Sequence, residues 1–308
     1  MAWNVFTLCT GLKVLGSVMI LVVLSVVGVS YYAVVITNYM PQVMKGGSAT
    51  ATSLLVLILF HVLLAMLLWC YFAVVFTDPG RVPQGWRPSS SEDDLEVQSS
   101  PLDQTSETMT VAVSLPTMAQ SARIRYCRKC SQYKPPRSHH CSVCGRCILK
   151  MDHHCIWVVN CVGAHNYKFF LLFLLYTFFE TTLVTVALLP QFISFFGDLE
   201  EDSSFPSTLA TTFLGFVLNL AFALSVLGFL IMHMSLVAGN TTTIEAYEKK
   251  ASARWRFDLG WKRNFEQVFG MKKLYWFLPL YTQGDLRRMI VLQGLEYPLR
   301  SDIDGQEF

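Results

Sequence analysis

The chain has 308 residues, of which 53% are hydrophobic and only 15% charged, with a formal net charge of +2. So apolar and charge-poor a composition excludes an ordinary soluble domain. So small a net charge makes no electrostatic case for a nucleic-acid partner.

In chain order, the first predicted elements are two apolar runs over 14–37 and 52–76, each longer than the about 20 helical residues that cross a bilayer core. The first is too long for a signal-peptide core and lacks a clean cleavage site, so it reads as a retained anchor. Residues 77–122 follow as a cytosolic linker. Its stretch 88–120 is rich in Ser, Thr and acidic residues, a composition expected to stay flexible and to accept phosphorylation. Over 123–168 the composition shifts to Cys, His, Gly, Lys and Arg, with turn signals such as Pro135-Pro136 and Cys144-Gly145 that suit small hairpins around metal. Residues 169–233 hold the third and fourth apolar runs, 169–189 (stopped by Pro190) and 209–232. The tail, 234–308, mixes basic residues with Trp255, Phe257, Trp261, Phe265 and Tyr275-Trp276-Phe277, and is expected to lie on the membrane and on the Cys/His domain.

Basic residues crowd the segment between the second and third runs (Arg81, Arg123, Arg128, Lys129, Arg146 and Lys168 among them) and the tail. The loop after the third run has none and carries Asp198, Glu200, Glu201 and Asp202. The positive-inside rule then places both termini and the Cys/His segment in the cytosol. That compartment is reducing, so the cysteines point to metal or catalysis rather than to a disulfide framework.

The segment offers seven cysteines (Cys127, Cys130, Cys141, Cys144, Cys147, Cys155 and Cys161) and five histidines (His139, His140, His153, His154 and His165). Two closed four-ligand zinc sites need eight ligands. Six cysteines and two histidines meet that need and leave one thiol over. Spacing alone does not settle which. A purely structural zinc module, a redox Cys pair and a RING-type brace remain as other readings of the same residues.

Three stretches carry a resemblance: Cys127-Arg128-Lys129-Cys130, Lys134-Pro135-Pro136-Arg137-Ser138-His139-His140-Cys141, and Met151-Asp152-His153-His154-Cys155-Ile156-Trp157-Val158-Val159-Asn160-Cys161-Val162-Gly163. They resemble the DHHC cysteine-rich family of protein S-acyltransferases (palmitoyltransferases), and Asn240-Thr241-Thr242-Thr243-Ile244-Glu245 looks most like its plant members. The resemblance implies one Zn2+ on Cys127, Cys130, His140 and Cys147, and a second on Cys141, Cys144, His154 and Cys161. Cys155 is then the thiol left over. His153 is placed to take its proton and Asp152 to orient His153, on the general logic of an activated nucleophile.

The implied fold is an all-α integral membrane protein of four transmembrane helices, with a small cytosolic double-zinc domain of short β-hairpins. The implied reaction is two-step transfer of a long-chain acyl group from acyl-CoA, such as palmitoyl-CoA, through acyl-Cys155 to protein cysteines exposed to the cytosol near the membrane. Trp157, with Phe169, Phe170 and Phe173, is expected to wall the acyl cavity. Arg125, Lys134, Arg137 and His139 are the candidates for the CoA phosphates. A multi-pass endomembrane location is implied, the Golgi first and the plasma membrane second, in contact with membrane lipids. A non-catalytic zinc-stabilised adaptor and a membrane ubiquitin ligase are the competing functions.

Smaller features complete the reading. Asp78-Pro79-Gly80 and Thr242-Thr243-Ile244-Glu245 resemble family motifs flanking the second and fourth spans, and Asn264 matches a structural tail asparagine. Ile156 departs from the Pro that many members carry after the nucleophile. Glu180 falls mid-span and is expected to pair with Asn219 or Thr181, or else to border the end of the acyl cavity and affect chain length. His61, His233 and Cys70 read as packing residues, and Cys9 as a juxtamembrane site for acylation.

Overall fold

The computed structural model describes residues 5–88, 125–198, 207–248 and 255–300. The linker expected over 88–120, apart from Pro88, lies outside them, as do Glu200, Glu201 and Asp202.

Among the described residues four helices are long and apolar enough to cross a membrane: Val18–Lys45, Thr50–Phe76, Tyr167–Ser194 and Ala210–Ala238. The first joins α1 (Val5–Tyr31) to α2 (Met40–Lys45) through a π-helical stretch, Tyr32–Tyr39. It runs past the expected stop at residue 37 because Asn38 is satisfied inside the bundle. Its amide donates to the Ala33 carbonyl five residues back (2.7 Å) and to the Thr212 hydroxyl (3.0 Å), which suits a widened turn. The helix ends only at Gly46, whose φ of 74° few other residues adopt.

The second span is α3 (Thr50–Phe76), the third lies in α4 (Tyr167–Asp198) and the fourth in α5 (Ser207–Ala238). Pro190 was expected to end the third span, yet α4 continues through it. In a membrane the helix persists where a neighbour satisfies freed backbone groups. Pro190 removes the N–H that the Val186 carbonyl would accept from; one residue on, the Tyr39 hydroxyl donates to the Ala187 carbonyl at 2.7 Å and ties this turn to the first span.

The packing divides into two levels. One buried cluster joins Ala33, Val34, Phe60, Val184, Leu188 and Phe216 at one end of the bundle. The helices approach closely there: a Cβ on Gly215 would sit 2.9 Å from that of Ala33. The other cluster joins α3 (Tyr71, Val74), α4 (Phe170, Leu171) and the tail (Val268, Phe269) around Cys155, Val158 and Val162.

The Cys/His domain is three antiparallel hairpins: β1 (Arg125–Cys127) with β2 (Gln132–Lys134), β3 (His139–Cys141) with β4 (Arg146–Ile148), and β5 (His153–Cys155) with β6 (Asn160–Val162). Strands of three residues cannot hold a sheet alone, so the side chains at their ends must. The domain is docked onto the end of α3. Asn160 donates to the carbonyls of Val74, Val75 and Thr77. Pro79 and Gly80 accept from His165 and Leu149. A Cβ on Gly163 would lie 2.6 Å from the Pro79 carbonyl, so only glycine fits. The Asp78-Pro79-Gly80 motif therefore both ends a helix and anchors the domain, with Asp78 paired to Arg146 at 2.7 Å.

The tail holds α6 (Thr243–Glu248), α7 (Trp261–Phe269), α8 (Gln283–Arg288) and α9 (Ile290–Gln293). It packs on the domain and on α4. Lys168, fully buried, donates to the carbonyls of Tyr275 and Leu280. Asn264, also buried, donates to the carbonyl of Ala238 at the end of α5.

Candidate metal centres and catalytic site

Two clusters of three cysteines and one histidine gather in the domain: Cys127, Cys130, His140 and Cys147, and Cys141, Cys144, His154 and Cys161. The register explains the gathering. His140 faces Cys147 across the second hairpin, and His154 faces Cys161 across the third. In the first cluster His140 Nδ1 lies 3.6, 3.2 and 3.9 Å from the sulfurs of Cys127, Cys130 and Cys147. In the second, His154 Nδ1 lies 3.7, 3.5 and 3.5 Å from those of Cys141, Cys144 and Cys161. Ligands about 2.0–2.3 Å from a tetrahedral zinc stand roughly 3.5–3.8 Å apart, so both donor sets fit that ion in size and in chemistry. The second hairpin carries ligands of both clusters, which makes each cluster depend on the other.

Strand geometry separates the residues 152–155. Successive side chains alternate between faces. His154 turns to the metal cluster, so His153 and Cys155 share the opposite face. His153 Nδ1 is 2.7 Å from Asp152 Oδ2. The same carboxylate accepts from the backbone N–H and the hydroxyl of Thr243. Thr243 thus ties the start of α6 to this pair.

The electrostatics follow from that geometry. Burial disfavours the His153 cation, but hydrogen bonds with Asp152 and Cys155 outweigh it and lift the imidazole to about 9. Burial likewise opposes the Cys155 thiolate. The hydrogen bond and charge of His153, then the N–H groups of Val158 and Trp157, outweigh it and hold the thiol below its ordinary range. Asp152 is held low against its burial, chiefly by its hydrogen bond to His153. The arrangement can hold an imidazolium–thiolate pair near neutral pH.

Cys155 opens onto a cavity of about 390 Å³ that runs into the helical bundle. Trp157, Phe170 and Phe173 line it. Phe169 does not; its ring meets that of Tyr281 in the tail at 5.6 Å.

The basic candidates are placed differently from one another. Arg125 and Lys134 face each other across the first hairpin, and both act on the charge of His139. None of the three lines the cavity among the described residues. Arg137 points inward instead. Its guanidinium donates to both oxygens of Glu245 and to the side chain and backbone of Asn240, beneath the rings of Phe257 and Tyr297. Buried in this way, the guanidinium joins the domain to the segment after α5 instead of facing solvent.

Other residues were placed by the tertiary structure alone. Asn240, at φ 44°, also donates to Phe257 and Gln267 and accepts from Lys150. It stood in the sequence only as part of a resemblance. The ring of His233 of α5, fully buried, lies tilted against that of His153 at 5.8 Å and meets the Tyr167 hydroxyl at 3.2 Å. A lone histidine in an apolar run offers no signal of that. Thr242 and Glu245 form a reciprocal cap of α6. Glu180 bonds neither Asn219 nor Thr181. Asn219 is taken by Ser30 and by the Gly215 carbonyl, and the Thr181 hydroxyl by its own helix.

Fold and clusters together define a multi-pass membrane protein built around a Cys/His-rich domain with zinc-type donor sets. The family model for DHHC palmitoyltransferases matches residues 120–250. The probable protein S-acyltransferase 14 of Arabidopsis thaliana is 66% identical over 99% of this chain and 98% of its own length. The probable protein S-acyltransferase 13 of the same plant is 58% identical over 99% and 98%. The human palmitoyltransferase ZDHHC20 is 38% identical over 97% of this chain and 80% of its own length. The chain belongs to the DHHC palmitoyltransferase family. It is an enzyme of the protein S-acyltransferase class.

Proposed function

We propose that the chain transfers a long-chain acyl group from acyl-CoA to protein cysteines through an acyl-Cys155 intermediate. The observation that carries this reading is the position of Cys155. It belongs to neither four-ligand cluster, shares a strand face with His153, and opens onto an apolar cavity among the spans.

In the first step the Cys155 thiolate attacks the thioester carbonyl. The carbon–sulfur bond to CoA breaks, and the departing CoA thiolate takes up the proton held on His153. In the second step neutral His153 takes the proton of a substrate-protein thiol, whose sulfur attacks acyl-Cys155; the bond from the acyl carbon to the Cys155 sulfur breaks, and Cys155 leaves as thiolate beside the recharged His153. Each step exchanges one thioester for another, so neither strongly favours its products. Direction comes from the product, which gains a second membrane anchor. Asp152, held by Thr243, keeps the His153 ring in place with its other nitrogen toward Cys155.

Each Cys3His cluster is read as a closed Zn2+ site. The ion there supplies cross-linking and leaves no position for a reacting water. Apparent binding of about 10–16 kcal/mol per structural zinc doubles as folding energy, which suits hairpins this short.

The acyl chain is read as lying in the cavity beside Trp157 and Phe170, contributing on the order of 10 kcal/mol at about 0.8 kcal/mol per buried CH2. Arg125, Lys134 and His139 stay the candidates for CoA phosphates, whereas Arg137 joins the domain to the tail. Both termini and the domain are assigned to the cytosol by the distribution of Lys and Arg. Spans of 27–29 residues favour the thicker membranes beyond the endoplasmic reticulum, so the Golgi comes first and the plasma membrane second.

Intact-protein mass spectrometry after incubation with palmitoyl-CoA, with zinc measured on the same sample, tests the whole reading. It expects one acyl adduct on Cys155 and two zinc ions per chain. Acylation that spares Cys155 would refute the intermediate.

A further inference from the structure

The cavity that has Cys155 at one end has an unpartnered carboxyl toward the other. Along α4 its wall runs Phe170, Phe173, Thr177 and Glu180, one helix face read in steps of three and four residues. Phe170 marks the Cys155 end, since its ring lies 5.2 Å from that of His153. Ten residues at about 1.5 Å each put Glu180 about 15 Å deeper. Helix α5 runs the other way and lines the same cavity with Asn219 in its deeper part, bonded to Ser30 of the first span.

Glu180 is 4% exposed, and neither carboxyl oxygen has a hydrogen-bond partner among the described residues. The polar groups nearest that end are already occupied: Asn219 by Ser30 and Gly215, the Thr181 hydroxyl by the Thr177 carbonyl. A buried polar atom without a partner is costly. A plain hydrocarbon tail ending against it would leave that cost in place. A ligand that brings a hydroxyl would remove it.

We propose that the deep end of the cavity is a subsite for a hydroxyl group on the acyl chain, with Glu180 as the residue that recognises it. The substrate class is a hydroxylated acyl-CoA thioester. Carbon–carbon bonds of about 1.5 Å advance an extended chain by roughly 1.25 Å each, so a span of about 15 Å places the hydroxyl about twelve carbons from the thioester. The inference rests on the acyl-CoA reading above and deepens it.

The test is competition between dodecanoyl-CoA and 12-hydroxydodecanoyl-CoA for Cys155 of the full chain in micelles, read as the ratio of the two adducts by intact mass spectrometry. The wild type is expected to favour the hydroxylated chain by about tenfold, the scale of one recovered buried hydrogen bond. Glu180→Leu is expected to lose that preference and Glu180→Gln to keep part of it. Equal ratios in the wild type and Glu180→Leu overturn the proposal. If Glu180→Leu does not fold, the wild type alone decides. An equal preference for 8-hydroxydodecanoyl-CoA, whose hydroxyl falls short of Glu180, also overturns it. Absence of any adduct from either chain or from palmitoyl-CoA instead overturns the acyl-transfer reading beneath it.

Discussion

Arg137 and Glu245, 108 residues apart, form a two-pronged ion pair. Nε meets Oε1 and Nη2 meets Oε2, each at 2.7 Å, with side chains 1% and 5% exposed. The pair joins the Cys/His domain to the segment after the fourth span, and Glu245 caps the same helix whose Thr243 holds Asp152. A contact between tail and domain is thereby coupled to the orientation of His153.

Breaking that pair should be costly. Removing one partner leaves the other charge buried and uncompensated, at about 3–5 kcal/mol. Arg137→Ala and Glu245→Ala should therefore melt well below the wild type in detergent. Arg137→Lys should not restore stability, because an ammonium cannot reach both oxygens in one plane. Wild-type melting of either alanine variant would show that the pair carries no such weight.

The nucleophile assignment has a direct readout. Cys155→Ser should abolish hydroxylamine-sensitive labelling by radioactive palmitoyl-CoA. His153→Ala should slow labelling by about 10²–10⁴-fold, the usual range for a lost general base. Undiminished labelling of Cys155→Ser would place the acyl group elsewhere.

The pH dependence of Cys155 follows from its neighbours. His153 holds the thiol below its ordinary value against burial, so the thiolate forms as pH rises through that lowered value. Alkylation of Cys155 by iodoacetamide should reach half its plateau at a lower pH than that of a free cysteine thiol. Asp152→Asn removes the charge that helps keep His153 protonated, so the half-point should move upward. An unmoved profile in Asp152→Asn would separate Asp152 from the thiol.

Zinc removal should act at a distance. Cys155 is in neither cluster, yet its strand β5 is pinned by His154 in the second. A strong zinc chelator that strips the metal should abolish Cys155 acylation and unfold the hairpins, lost together as the shared second hairpin comes free. Full acylation of a chain shown to be zinc-free by elemental analysis would contradict this.

Much of the architecture was legible along the chain. Four apolar runs announced four spans, and the count of cysteines and histidines announced two clusters with one thiol to spare. Span ends were read less well. Asn38 and Pro190 look like terminators in one dimension, but bonds to other helices hold the turns in which they sit. Arg137 looked like one more cytosolic cation, because charge is visible in a sequence and burial of a single arginine is not.

By itself the sequence determined which segments are apolar enough to span a membrane and which donor types the domain would gather. Run length, charge distribution and donor type are local properties that need no contact to be read. Only the tertiary structure decided which groups meet. It turned His153 and Cys155 to one face, drew His233 against His153, and left the Glu180 carboxyl lining the cavity with no hydrogen-bond partner among the described residues. Those outcomes depend on helix packing between residues far apart in the chain, where no spacing rule reaches.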